Sequence, residues 1–165
     1  MEVVKNFELC VREVLVNVPS YYKKSLNSIE KCAILSRVLI GNRTQENFII
    51  FLLDESLRLL GYQTIAIGKQ ECVSIDMRSL FRGSIELGAT YFIASHNHPN
   101  EVMTPSYLDI KTSYILQLTG DLIGITMLDH IIVSSTKHIS MYSMNLLKNR
   151  TERSNLLHRL LEGKV

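Results

Sequence analysis

Two histidines, a serine and an aspartate fall close together in the stretch ATYFIASHNHPNEVMTPSYLD (89–109). His96 and His98 end an apolar run of strand character. Side chains alternate along a strand, so residues two apart project to one side and both imidazoles can reach one point. Ser106 and Asp109 stand three apart where a helix begins, so they share a helical face. Two imidazole nitrogens and one carboxylate oxygen make three ligands, and a tetrahedral zinc would keep its fourth position for water, the arrangement of a catalytic site. Zinc lowers the pKa of such a water to about 7 and makes a nucleophile at neutral pH. Ser106 could donate a hydrogen bond to the oxyanion formed when that water attacks a carbonyl. A lone H-x-H is a weak signal, since histidine pairs also occur in polar loops; Asp109 at its helical offset makes the metal reading the better one. The letters HNH do not make an HNH nuclease, whose motif spreads over a longer ββα unit. A zinc deaminase would need H-x-E followed by P-C-x-x-C, and neither is present.

The elements that must position these residues alternate between strand and helix. Around residues 7–18 the apolar residues alternate as in a strand with a bulge, and 19–28 reads as a linker. Ile29, Cys32, Ala33, Leu35, Val38 and Leu39 have helical spacing, with Gly41 at the C-cap position. NFIIFLLDESLRLLGYQTIAIG reads as two strands joined at Asp54-Glu55-Ser56. Residues 72–75 read as a short extended piece. Asp76 suits the N-cap of a helix carrying Met77, Leu80, Phe81 and Ile85 and closed by Gly88. ATYFIAS is a buried strand. Thr104 as N-cap with Pro105 at the first position predicts a helix running to about Gly120, and IGITMLDHIIVSS gives one or two strands. The last stretch reads as an amphipathic helix or tail. No internal repeat is evident. This interleaving places the fold in the α/β (α+β) class, one mixed sheet covered by helices, with an N-terminal arm over 1–24, a main domain over 25–147 and a C-terminal helical tail over 148–165.

Bulk properties narrow the function classes. The 165 residues suit one domain, and 46% hydrophobic against 21% charged is an ordinary globular balance. A formal net charge of +2 without a dense basic run gives little support to a nucleic-acid footprint. Cys10, Cys32 and Cys72 are odd in number and far apart, which suits buried free thiols in a reducing compartment rather than a disulfide framework. No signal-like N-terminus and no apolar run long enough for a membrane span point to a cytoplasmic protein.

The spacing H-x-H-x7-S-x2-D is the core of the JAMM motif of the JAB/MPN metalloprotease superfamily. SHNHPNEVMTPSYLDI resembles the bacterial RadC branch, and IGITMLDHIIVSS, FLLDESLRLLGYQTIAIG and SIDMRSLFRGSIELGAT resemble the segments around it, together covering roughly residues 47–147. The resemblance implies a curved mixed sheet flanked by helices, related in shape to cytidine deaminases, with His96, His98 and Asp109 as zinc ligands and Ser106 assisting the oxyanion. It implies a zinc-dependent hydrolase or peptidase acting on a protein or peptide substrate, and it carries the label of DNA repair. A JAB/MPN domain with an incomplete motif would serve instead as a binding or scaffold module. A homodimer is compatible with the apolar stripe of the C-terminal helix. RadC-like chains carry a glutamate five residues before a glycine in the strand after the first hairpin; counting back from Gly68 gives Gln63, which cannot take a proton from water. Glu55, Glu71 and Glu101 are the nearby carboxylates that could take over. Asn100 and Glu101 stand where the branch usually has Ser-Gly. His130 in LDHIIV reads as support for the site or as a core histidine, with Asp129 orienting it or capping a strand. His138 and His158 read as surface, and Tyr21-Tyr22-Lys23-Lys24 as an exposed loop.

Overall fold

The computed structural model describes residues 25–68 and 76–163. The expected strand over 7–18, the extended piece at 72–75, Glu71 and the Tyr21–Lys24 loop lie outside these residues.

A five-stranded sheet in the order β2-β1-β3-β4-β5 forms the centre. Strands β1 (Asn47–Leu53) and β2 (Leu59–Ile67) form the expected antiparallel hairpin. Its turn is held by Asp54, whose Oδ1 accepts hydrogen bonds from the backbone N–H groups of Ser56 and Arg58, both at 2.8 Å. Strand β3 (Tyr91–Asn97) lies antiparallel to β1 and parallel to β4 (Thr126–Val133). The parallel pair requires a crossover, supplied by helix α3 (Tyr107–Ile123). Strand β5 (His138–Ser140) closes the edge beside β4.

Strand alternation gives the sheet two apolar faces. On one face Ile49, Phe51, Leu53, Ile93, Ile131 and Val133 pack with Cys32, Ala33 and Leu35 of α1 (Ile29–Ser36). On the other Ile50, Leu52, Phe92 and Ala94 pack with Leu80 and Phe81 of α2 (Met77–Glu86) and with Leu116 of α3. Ser28 caps α1 by accepting from the N–H of Lys31. The predicted continuation to Gly41 changes character: Arg37–Gly41 form a π-helical turn, and Gly41 comes so near the Ser134 carbonyl that a Cβ would sit 3.0 Å from that oxygen. Asp76 caps α2 as expected, with Gly88 in the left-handed conformation at φ 64°.

Helix α3 starts two residues later than Thr104-Pro105 predicts. Ser106 is the N-cap: its Oγ accepts from the N–H of Asp109 at 3.1 Å, and Asp109 Oδ2 accepts from the N–H of Ser106 at 2.6 Å. This reciprocal capping box satisfies two of the orphan donors at the helix start; the residues three beyond Thr104 and Pro105 are Tyr107 and Leu108, whose side chains carry no carboxylate to complete such a box. The helix ends at Gly124, φ 80°, past the predicted Gly120. Helix α4 (Arg150–Leu161) docks through the buried Arg153, which pairs with Asp121 of α3 and donates to the Lys148 carbonyl. Among the described residues no helix is long and apolar enough to cross a membrane.

Candidate metal centre

His96 lies on the β3 face that carries Phe92 and Ala94, toward α3, and the first turn of α3 brings Asp109 over it. The Nε2 atoms of His96 and His98 are 2.9 Å apart. Asp109 Oδ1 lies 3.2 Å from His96 Nε2 and Oδ2 lies 3.6 Å from His98 Nε2. These three residues form a group able to hold a metal ion. Ser106, as the N-cap beside Asp109, lines the same cavity of about 300 Å³ as the three donors. Because Ser106 Oγ accepts from Asp109 N–H, the hydroxyl proton stays available to donate.

Hydrogen bonding behind the histidines fixes which nitrogen carries a lone pair. Ser113, one turn beyond Asp109 on α3, donates from Oγ to the Asp109 carbonyl at 2.7 Å. Its oxygen then accepts from Nδ1–H of His130 at 2.6 Å. His130 is fully buried, and desolvation holds its pKa well below the ordinary histidine value, so the ring is neutral and Nε2 is an acceptor. That acceptor faces His96 Nδ1 at 2.8 Å, so Nδ1 holds the proton and His96 Nε2 keeps its lone pair for the centre. The carbonyl of Val102 can only accept, so the short contact from His98 Nδ1 places the proton there and leaves Nε2 free as well. Phe48 of β1, directly opposite His96 in the register, stacks on that ring with an interplanar angle of 9° and meets His130 edge-on.

Two imidazole lone pairs and a carboxylate converging on one point repel one another unless a proton or cation lies between them. The pKa shifts follow. Hydrogen bonding to Asp109 raises His98, against the opposing effect of burial. Burial pushes Asp109 up, but the hydrogen bonds it receives from His96 and His98 when a proton lies between them outweigh burial and hold the carboxyl far below the usual range. Mixed imidazole and carboxylate donors suit zinc.

Asn97, between the two histidines, points to the opposite side of the sheet. It is fully buried, and its amide is saturated: Oδ1 accepts from Asn47 N–H at 2.6 Å, and Nδ2 donates to the carbonyls of Arg43 and Gln45 at 3.2 and 3.1 Å. This clasp holds the segment that carries Glu46, and Glu46 lines the cavity with His96, His98 and Asp109. The Glu46 carboxylate also contributes to the raised pKa of His98.

Gln63 is not brought to this place. It pairs with Ile50 in the middle of β2, and its Nε2 donates to the Ser79 carbonyl of α2 at 3.1 Å. The cavity meets β2 only at its end, through Ala66 and Gly68. Glu55 lies in the β1–β2 turn, beyond Leu53, whereas His96 pairs with Phe48 at the other end of β1. Glu101 does not line the cavity either; its carboxylate accepts from Ser135 N–H and Oγ at 3.1 and 2.7 Å. Hydrogen bonding from Ser134 and Ser135 holds that carboxyl down at about 2.

Asp129 accepts from the backbone N–H groups of His130 and Tyr142 and from Ser140 Oγ, so it braces the β4–β5 hairpin rather than the imidazole of His130. His138 sits half-buried on β5, and the exposed His158 pairs with Glu162. The sequence reading did not single out Glu46, Asn97 or Ser113. Ser113 carries a local signal, one helical turn after Asp109. The other two become visible only once β1 pairs with β3.

Residues 26–146 match the RadC-like JAB domain. The chain is 38% identical over 117 residues to a UPF0758 protein of Finegoldia magna, covering 71% of this chain and 52% of that one. It is 39% identical over 120 residues to UPF0758 protein sll0766 of Synechocystis, covering 72% and 49%. The chain thus spans about half the length of these curated relatives. With most of its length matched, the chain belongs to the RadC-like JAB domain family.

Proposed function

We propose that the centre is that of a zinc-dependent amide hydrolase acting on a protein or peptide. Glu46 replaces Gln63 as the residue that handles the proton. The observation that carries this reading is the cavity itself: Glu46, a carboxylate residue outside the three-donor set, and the hydroxyl of Ser106 at the start of α3 line it together with His96, His98 and Asp109. Zinc held by His96, His98 and Asp109 would supply Lewis acidity toward a water or a carbonyl oxygen. Glu46 takes a proton from the attacking water and returns it to the departing amine nitrogen, the dual role of a single general acid–base. Ser106 donates to the oxygen of the attacked carbonyl as negative charge grows there. Phe48 and Leu108 form an apolar part of the cavity wall, which excludes water from one side of the scissile group.

The test pairs Glu46→Gln with Gln63→Ala in the full chain. Zinc content is measured together with turnover on a panel of peptide and isopeptide amides. Glu46→Gln is expected to keep its zinc and lose activity by about 10²–10⁴-fold, while Gln63→Ala keeps both. Zinc bound by the unaltered protein with no turnover anywhere in the panel would favour a binding or scaffold module. Loss of turnover in Gln63→Ala alone would restore Gln63 to the site.

A further inference from the structure

Glu101 stands in left-handed backbone, φ 61°, a conformation that glycine adopts freely and other residues adopt under strain. It lies at the tip of the loop joining β3 to α3, the segment that sets His98 and Asp109 relative to each other. Within the loop, Glu101 N–H donates to the His98 carbonyl at 3.1 Å, and Val102 N–H donates to Asn100 Oδ1 at 3.1 Å. The next carbonyl along, that of Val102, accepts from His98 Nδ1. The orientation of the His98 ring therefore depends on the backbone at Glu101 and Val102.

What holds that backbone is outside the loop. The Glu101 carboxylate reaches the β4–β5 turn, where Oε1 accepts from Ser135 N–H and Oγ and Oε2 accepts from Thr136 Oγ1 at 3.4 Å. The turn is itself braced: Ser134 Oγ accepts from the N–H groups of Thr136 and Lys137, and Arg37 donates to the Thr136 carbonyl at 3.0 Å. The carboxylate thus ties a strained loop to a fixed turn.

We propose that Glu101 is a positioning residue, a latch whose carboxylate, anchored on the Ser135–Thr136 turn, fixes the Val102 carbonyl and so the ring of His98 at the metal centre. The proposal rests on the metal reading of that centre. Glycine at this position would remove the strain and the tie together; glutamate keeps the strained conformation and holds it from outside.

Glu101→Gly and Glu101→Gln are compared with the unaltered chain. Zinc affinity is measured by chelator competition, the His98 tautomer of the metal-free protein by long-range 1H–15N correlation, and the fold by thermal unfolding. Both variants are expected to unfold like the unaltered protein. Glu101→Gly should weaken zinc by about tenfold, the scale on which partners that orient a ligand act, and His98 should lose its preference for the Nδ1–H tautomer. Glu101→Gln, which keeps the length and loses the charge, should fall between. Unchanged affinity and tautomer in Glu101→Gly would overturn the latch. If the unaltered chain took up no zinc, the metal reading would fail on its own, and the tautomer comparison alone would decide: a change supports the latch, and identity refutes it.

Discussion

His96 and His98 present the same atom to the same point, yet they are held by different kinds of structure. His96 is on a central strand, 5% exposed, and its tautomer is set by a buried relay through His130 and Ser113. His98 is just past the strand, partly exposed, and its tautomer is set by a loop carbonyl. The first arrangement draws on two strands and a helix, so the ring cannot turn without disturbing the core. The second draws on a short loop and leaves room for adjustment. One rigid and one adaptable imidazole is a division of labour that the H-x-H string does not display.

The comparison breaks most completely at the rigid side. His96→Ala is expected to abolish stoichiometric zinc binding, measured by metal analysis, because two donors do not make a zinc site of this type. Equal zinc in the variant and the unaltered protein would sink the metal centre. Next comes Ser113→Ala, which contacts none of the three converging donor atoms and meets Asp109 only at its backbone carbonyl. It leaves His130 Nδ1–H buried without its acceptor and frees the tautomer of His96. Zinc affinity should fall by about 10–100-fold, and stability should fall by about 1–3 kcal/mol, read by chelator competition and by denaturant unfolding.

Asn97→Ala tests the opposite face of the same strand. The Asn47 N–H and the Arg43 carbonyl lose the Asn97 amide, at about 1–3 kcal/mol, while the Gln45 carbonyl keeps its bond from Asn47 Nδ2. Hydrogen exchange should speed up in that segment ahead of β3. Slow exchange there in the variant would show that the clasp does not hold Glu46. Ser106→Ala is a smaller change: loss of the cap costs about 1 kcal/mol, and Asp109 loses one side of its capping box.

The mildest lever is pH. The folded pKa of His98 is raised, so its protonated form is favoured and protons compete with metal at Nε2 starting above the ordinary histidine value of about 6.5. Apparent zinc affinity should therefore weaken as pH falls through that raised value. His130 is shifted the other way and stays neutral across this range, so it should not contribute to the slope. In the metal-free protein the same sign rule gives a second effect. The stability due to protonated His98 is present in full below about 6.5 and is lost as pH rises through the folded pKa. Zinc affinity independent of pH between about 6 and 8 would contradict the assignment of His98 as a ligand.

Much of the fold was legible because its signals are local. Apolar runs of strand length marked β1, β2, β3 and β4, the Asp76 and Gly88 caps marked α2, and the hairpin turn at Asp54 was visible in its polar residues. The start of α3 was misplaced by two residues because Thr104-Pro105 and Ser106 offer competing caps, and only the side-chain bonds between Ser106 and Asp109 decide between them. Gln63 stands five residues before Gly68. The count is local, but the position it stands for depends on which part of β2 borders the cavity, and that is a matter of register.

The sequence alone determined the donor set, because strand period two joins His96 to His98 and the first turn of a helix joins Ser106 to Asp109. Neither relation needs any contact beyond a few residues. Tertiary structure alone decided everything that acts on those donors from a distance. Pairing Phe48 with His96 brings Glu46 to the cavity and Asn97 to its clasp. The parallel pairing of β3 with β4 sets His130 behind His96, and the β4–β5 turn draws Glu101 away from the cavity. Each of these depends on strand register, which is fixed by the burial of whole faces of the sheet and leaves no mark within any single stretch of chain.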